Sequence, residues 1–358
     1  MAQLIARAKV RTRKDGAAVA LDALDRKLLN LMQGSFPLER RPYAHVAGLA
    51  QLSEEDALAR VRRLIAERII RQVTPIFDTR ALGYSSMLVA AKVDPDHPQR
   101  AATVINAHPG VSHNYLRDHD FNLWFTIATE PDSRLGLDGT LELLAAQAGA
   151  QSMRQLPTLK LFKINMNLEM EGDSAALAVA GVAEEPRQLD PVELSELDVA
   201  VIRALQGDMP VIAEPYAPAA QSLGMSVERL LCQLSSMRER GALRRVAAIL
   251  YHRRAGFSAN GMGVWAVPDD RIAELGPRMA AFRGISHCYQ RPTYPDWPYS
   301  VFTMAHGRSK EECDAVLEAI AADTGIVDQA TLYSSTEFKK IRLLYFTGDF
   351  KRWEAEHS

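Results

Sequence analysis

Apolar residues recur at helical spacing from Asp22 to Met32, where Leu24, Leu28, Leu29 and Leu31 form a stripe. A second helix is expected over Tyr43 to Ala50. Ser53 then opens a third. Its hydroxyl suits an N-cap, Glu54, Glu55 and Asp56 suit the positive end of a helix dipole, and Leu58, Val61, Leu64 and Ile65 supply the buried stripe. Ile69, Ile70 and Val73 suggest a wing strand. Beyond them the pattern predicts a strand over Ser85 to Val93 and a helix over His97 to Ala107. A strand pair over His113 to Arg117 and Asn122 to Thr129 follows, then a helix over Leu135 to Ala148 and a strand over Leu159 to Asn165. This order is a winged helix-turn-helix followed by a ferredoxin-like βαββαβ unit.

The same pattern then occurs again. LDALDRKLLNLMQG begins at Leu21 and LSELDVAVIRALQG at Leu194, 173 residues later. The correspondence continues through Pro42-Tyr43-Ala44 and Pro215-Tyr216-Ala217, and through Gly110-Val111-Ser112-His113 and Gly284-Ile285-Ser286-His287. It reaches Phe125-Thr126-Ile127-Ala128, aligned with Phe302-Thr303-Met304-Ala305. Strands of the second unit are expected near Asn260–Val267, Ser286–Gln290, Ser300–Ala305 and Val327–Tyr333. The fold class is therefore α+β, a tandem duplication. The expected organisation is a disordered arm over 1–20, a helix-turn-helix domain over 21–80 and a ferredoxin-like domain over 81–170. A small-residue linker over 171–193, a second helix-turn-helix over 194–255 and a second ferredoxin-like domain over 256–350 complete it. A linker of that length suits two halves that pack as a pseudo-symmetric dimer within one chain.

Charge narrows the function. A net charge of −2 lacks the basic excess by which DNA-binding domains neutralise phosphates. Three cysteines, Cys232, Cys288 and Cys313, contain no C-x-x-C pair and form no disulfide framework. A reducing, cytoplasmic location is expected, with no membrane span. Phosphate-binding glycine loops and nucleophile elbows are missing from the sequence, and the histidines do not show zinc spacing, so no metal site is expected.

The informative segment is His113-Asn114-Tyr115-Leu116-Arg117-Asp118-His119. On a strand, His113, Tyr115, Arg117 and, if the strand persists, His119 share one face. His287, Tyr289 and Arg291 repeat the alternation. One such residue reads as a solvated strand face with ordinary ion pairs; the same row in both halves reads as a site for a polyanion, with arginine forks for carboxylates and histidines for protons. Arg71, Arg244 and Arg245 are further candidate cations. The loop Arg291-Pro292-Thr293-Tyr294-Pro295-Asp296-Trp297-Pro298-Tyr299 is either a rigid turn whose rings pack on the sheet or an aromatic wall, led by Trp297, against a flat ligand.

The domain order resembles the Lrp/AsnC regulators. The runs HPGVSHNYLRDHDFNLWFTIA and FRGISHCYQRPTYPDWPYSVFTMAHG resemble the siroheme decarboxylases, in the fused form of subunits usually made separately. The resemblance covers about Leu21 to Asn167 and Leu194 to Tyr345. It implies loss of two acetate carboxyl groups of siroheme as CO2, giving 12,18-didecarboxysiroheme in haem d1 or alternative haem biosynthesis. No organic cofactor is implied, because the macrocycle serves as electron sink. His113, His119 and Tyr115 are then the catalytic candidates. Arg117, His287, Tyr289, Arg291, Arg71, Arg244, Arg245 and Trp297 are the substrate-binding ones, and either motif histidine could instead ligate the siroheme iron. Implied partners are siroheme and its products, a second copy of the chain and other enzymes of the pathway. Two other functions compete: an Lrp/AsnC-type transcription regulator, and a tetrapyrrole chaperone without chemistry. Against the regulator, the third helix opens on Glu54-Glu55-Asp56, which DNA phosphates repel; specific DNA binding is not expected.

Overall fold

The computed structural model of the chain describes residues 21–164, 190–251 and 259–357. The arm expected over 1–20 and residues 171–189 of the expected linker lie outside them.

The first half runs α1 (Ala23–Gly34), α2 (Pro42–Ala50), α3 (Glu54–Ala66), β1 (Ile70–Phe77), β2 (Ser85–Lys92), α4 (Pro98–Ala107), β3 (His113–Arg117), β4 (Leu123–Thr129), α5 (Gly136–Ala148), β5 (Ser152–Leu156) and β6 (Lys160–Ile164). The second runs α6 (Glu196–Leu205), α7 (Ala217–Ser222), α8 (Val227–Glu239), β7 (Leu243–Leu250), β8 (Ala259–Trp265), α9 (Ile272–Ala281), β9 (Ile285–Gln290), β10 (Val301–Gly307), α10 (Lys310–Thr324) and β11 (Gln329–Lys340). A closing helix, α11 (Asp349–His357), follows. Reciprocal capping boxes start both units at the same repeat position. Asp25 N donates to Asp22 (2.7 Å) and Asp198 N to Ser195 (3.1 Å), while each third-position aspartate accepts the cap residue's own N–H.

Neither wing folds back on its own half. β1 pairs antiparallel with β7, Pro75 opposite Val246. The apolar faces of both helix-turn-helix units meet in one core, where Leu28, Tyr43 and Leu64 join Ile202, Tyr216 and Leu234.

The other nine strands follow the order β5-β2-β4-β3-β11-β8-β10-β9-β6. Each half keeps the ferredoxin-like order within it, and two strands cross between halves. β6 leaves its own sheet for the edge of β9, and the second part of β11 adds to β3. The strand expected over Leu159 to Asn165 is therefore not the fourth strand of its own sheet. That place belongs to β5, and Pro157 breaks the ladder between β5 and β6. Central strands feed two cores by alternation. In β4, Leu123, Phe125 and Ile127 face the helices of their half, while Trp124 faces the space between the halves. There it meets Phe121, Leu156, Met262, Trp297, Phe302 and Leu332. Pairing places Trp124 opposite Tyr115 and Phe302 opposite Tyr289, so Trp124 corresponds to Phe302, one residue off the correspondence expected from the sequence.

The exchanged strands are fastened in matching ways. Arg117 donates from Nη1 to the Leu332 carbonyl of the second half, and Arg291 from Nη1 to the Leu156 carbonyl of the first. Lys339, on β11, donates to the Asn106 carbonyl at the end of α4 (2.7 Å); Lys163, on β6, donates to the Phe282 carbonyl just past α9 (3.0 Å). Gly276 admits the exchanged Phe162, since a Cβ there would stand 2.3 Å from its ring. Arg117→Ala or Arg291→Ala is expected to leave a buried carbonyl unsatisfied and to cost about 1–3 kcal/mol in urea unfolding. An unchanged midpoint in both variants would remove these bonds from the joint.

Candidate functional site

Each motif histidine sits on a β-bulge. Ala128 N donates to Gly110 O (3.0 Å) and Ser112 N to Thr126 O (3.1 Å), which sets Ile127 against Val111; yet His113 is already opposite Thr126. In the second half Ala305 opposes Ile285 while Met304 opposes His287. Ser112 and Ser286 are the extra residues, and a bulge of this kind re-aims the side chains beside it. Each serine hydroxyl then meets the Nδ1 of the next residue, Ser112 to His113 at 3.0 Å and Ser286 to His287 at 2.7 Å. Tyr115 and Tyr289 flank these rings at 6.2 and 5.9 Å, with interplanar angles of 30° and 29°. The two rows thus have nearly the same shape.

Their surroundings differ. Lys340 of β11 pairs with His113, where Ile164 of β6 pairs with His287. Arg71 on β1 also acts on His113, so the first-half histidine feels the charge of two cations. Burial, then Lys340 and Arg71, bring its pKa down to about 4, and it is neutral at pH 7. Arg244 occupies the place of Arg71 in the second half and acts on Tyr289, but Asp78 grips it through Nε (2.7 Å) and Nη2 (2.6 Å). Arg245, beside it, is half-buried.

Four expectations change. Arg117 and Arg291 do not stand open to a ligand's carboxylates. Both are buried in the joint, with guanidiniums near the Tyr115 and Trp124 rings (6.0 and 5.9 Å) and the Tyr289 and Phe302 rings (4.8 and 5.4 Å). Burial lowers both pKa values to about 10, which leaves them charged. His119 does not share the motif face, because β3 ends at Arg117; its Nδ1 accepts from Phe121 N (3.0 Å) and its ring packs edge-on against Trp297 (5.2 Å). Trp297 is no open wall. It is 0% exposed, packed on Trp124 and Tyr299, in a loop that Arg154 and Asp296 latch to β5 with bonds of 2.9 and 2.8 Å. The rings of that turn pack on the sheet.

Sequence reasoning missed Ser112, Ser286, Thr126, His306 and Lys340. The Ser-His dipeptide was visible in both halves; the others required the strand pairing. Among the described residues, no group of three His, Cys, Asp or Glu side chains is disposed to hold a metal ion, and no helix is long and apolar enough to cross a membrane.

Comparison with known proteins decides the family. Residues 25–71 and 198–244 match the siroheme decarboxylase NirDL-like HTH domain, and residues 81–163 and 254–339 the AsnC-like ligand binding domain. The siroheme decarboxylase of Hydrogenobacter thermophilus is 39% identical over 92% of this chain and 97% of its own length. This chain belongs to the siroheme decarboxylase family. A crystal structure of the siroheme decarboxylase NirDL in complex with an iron-uroporphyrin III analogue superposes with a TM-score of 0.74 at 35% identity, covering 93% of this chain and 98% of that one. The siroheme decarboxylase alpha subunit of Desulfovibrio desulfuricans is 42% identical over 46% of this chain and 93% of the subunit. Members of the family thus occur as separate subunits half this length, and here two such units are joined in one chain.

The electrostatics of the first site have a consequence for stability. His113 and His108, the latter also buried and lowered to about 3, are uncharged in the native state, whereas an unfolded histidine binds a proton below about 6.5. Between those values the unfolded state binds more protons, so stability is present above pH 6.5 and is lost as pH falls toward 4. Urea midpoints are expected to drop between pH 7 and pH 5, and to drop less in His113→Asn. An equal drop in that variant would place the loss elsewhere.

Proposed function

We propose that the chain decarboxylates siroheme at two acetate side chains, and that the two His-x-Tyr rows with the cations above them form the site. The observation that carries this is the match along both halves, at 93% coverage, to a siroheme decarboxylase solved with a tetrapyrrole analogue. The local chemistry agrees with it. Siroheme carries eight carboxylates, and Arg71 and Arg244 on the ribbon and Lys340 on the exchanged strand are cations beside the rows. His113, held neutral by burial and by Lys340 and Arg71, accepts a hydrogen bond or binds the siroheme iron; bound carboxylates raise its proton affinity.

The reaction needs no oxidant. The bond between the acetate methylene and its carboxylate breaks, CO2 leaves, the electron pair is delocalised into the macrocycle, and one proton converts the methylene to methyl. The conjugated substrate supplies the electron sink that an organic cofactor would otherwise provide. The protein's part is to hold the carboxylates, exclude water and supply the proton.

Incubation with siroheme followed by mass analysis of the extracted pigment is expected to show loss of two CO2 units; unchanged pigment would mean a chaperone. His113→Ala is expected to weaken siroheme binding and so to lower turnover at a fixed substrate concentration. Wild-type turnover in that variant would remove His113 from the site.

The regulator reading loses its basic surface. On α3, Arg60 bonds Asp22 (2.7 Å) and Asp25 (2.8 Å), Arg63 bonds Asp25 (2.6 Å), and Arg62 donates to the Val211 carbonyl (2.8 Å). Cations spent on internal partners neutralise few phosphates. Gel shifts at physiological salt are expected to show weak binding indifferent to sequence; nanomolar, sequence-specific binding would restore the regulator.

A further inference from the structure

The halves differ in what stands behind the motif histidine, and this difference, taken together with the decarboxylase reading on which it rests, separates their roles. In the first half, Ser112 Oγ lies 3.0 Å from His113 Nδ1 and 2.8 Å from Thr126 Oγ1. In the second, Ser286 Oγ lies 2.7 Å from His287 Nδ1 and 2.6 Å from His306 Nε2. His306 N bonds Gly284 O as Ala128 N bonds Gly110 O, so His306 stands where the first half has alanine.

A serine hydroxyl has one hydrogen. Besides the longer contact to the Met304 carbonyl (3.4 Å), it can donate to one of the two imidazole nitrogens, and the other imidazole then donates to it. His306, Ser286 and His287 therefore form a line in which a proton entering at one end releases one at the other. His306 is half-buried at the end of β10, opposite the exposed Asn260 of β8; its Nε2 faces Ser286 and its Nδ1 is buried. The line in the first half ends instead on a threonine hydroxyl, which takes no extra proton near neutral pH, and its histidine feels the charge of Lys340 and Arg71.

The geometry points to a division of labour: His287 delivers the proton to the methylene carbon, His306 recharges it through Ser286, and His113 with its two cations anchors the substrate's carboxylates or iron. The step balances. As the carbon–carboxylate bond breaks and CO2 departs, the carbon takes the proton from His287 Nε2. His287 Nδ1 takes the Ser286 hydroxyl proton, Ser286 takes the proton on His306 Nε2, and His306 regains one at Nδ1, from water admitted to that buried edge as the ring moves. Each carboxylate lost consumes one proton, so a catalyst that acts twice on one molecule needs such a path. His306 is a positioning residue in this scheme, because it acts only through Ser286 and His287.

The test uses the full chain with siroheme as substrate and iron uroporphyrin III as binding probe, followed by its Soret band. His306→Ala is expected to bind the probe within about twofold of wild type, to lower kcat at least about tenfold with little change in KM, and to recover part of that loss in added imidazole. His306→Gln, which can still bond Ser286 but cannot relay a proton, is expected to remain slow. Thr126→Val is expected to weaken probe binding more than it slows turnover. Wild-type kcat in His306→Ala or His306→Gln, or a kcat loss in Thr126→Val as large as in His306→Ala, would overturn the division of labour. If the unmodified chain releases no CO2 from siroheme, the decarboxylase reading itself fails, and the relay with it.

Discussion

Two buried arginines hold this molecule in its shape. Arg117 and Arg291 each carry a charge into the space between the halves, where a charge without partners costs several kcal/mol. Each is compensated by a main-chain carbonyl of the opposite half and by flanking aromatic rings, Tyr115 with Trp124 and Tyr289 with Phe302. The acceptors, Leu332 and Leu156, sit just before the points at which β11 and β5–β6 pass from one sheet to the other. Separation of the halves would strand both guanidiniums and both carbonyls together. The joint and the site are tied together, because each motif arginine ends or directly follows the strand that carries the motif histidine and tyrosine.

The duplication kept this frame and changed what surrounds the motif histidines. Conserved geometry at the bulges, with ring separations within 0.3 Å of each other, shows that the frame tolerates little adjustment. Substitutions cluster instead at the neighbouring positions. Lys340 answers Ile164, and Thr126 answers Met304. Ala128 answers His306, and Arg71 lacks the carboxylate grip that Asp78 gives Arg244. A single flat macrocycle cannot present identical groups to two symmetric sites at once. A fused chain can mutate the two sides independently, which a homodimer cannot.

Much of this was legible beforehand for physical reasons. The repeat, the helix stripes, the capping residues and the His-x-Tyr-x-Arg alternation are local properties of the chain, and local rules read them. The family followed from the same runs. What sequence could not supply was which face of the motif strand met solvent. A His-Tyr-Arg face is too polar for an ordinary core, so it read as open; rings and carbonyls brought from the other half bury its arginine end. The exchange itself was hidden by composition. After Tyr333, β11 continues as Ser334-Ser335-Thr336-Glu337, a run that reads as loop until another strand edge is there to pair with it. Likewise Trp297 and its prolines had two readings of equal merit, and only the latch to Arg154 and the contact with Trp124 separate them.

The helix-turn-helix units show why a fold made for one task can serve another. The third helix of the first unit has turned its arginines onto Asp22, Asp25 and the Val211 carbonyl, and the apolar faces of both units are fused in one core. Two units locked in this way are held at one fixed spacing. The same locking has a use at the other end of each unit. The wing strands β1 and β7 pair with each other instead of forming separate hairpins, and so make one ribbon that belongs to both halves. Arg71 and Arg244 are carried on that ribbon, near His113 and Tyr289 respectively. The element that would grip a phosphate backbone in a regulator therefore sets two cations over the motif strands. In the proposed site a polycarboxylate is a polyanion of another shape, which the ribbon's cations would meet from a fixed position.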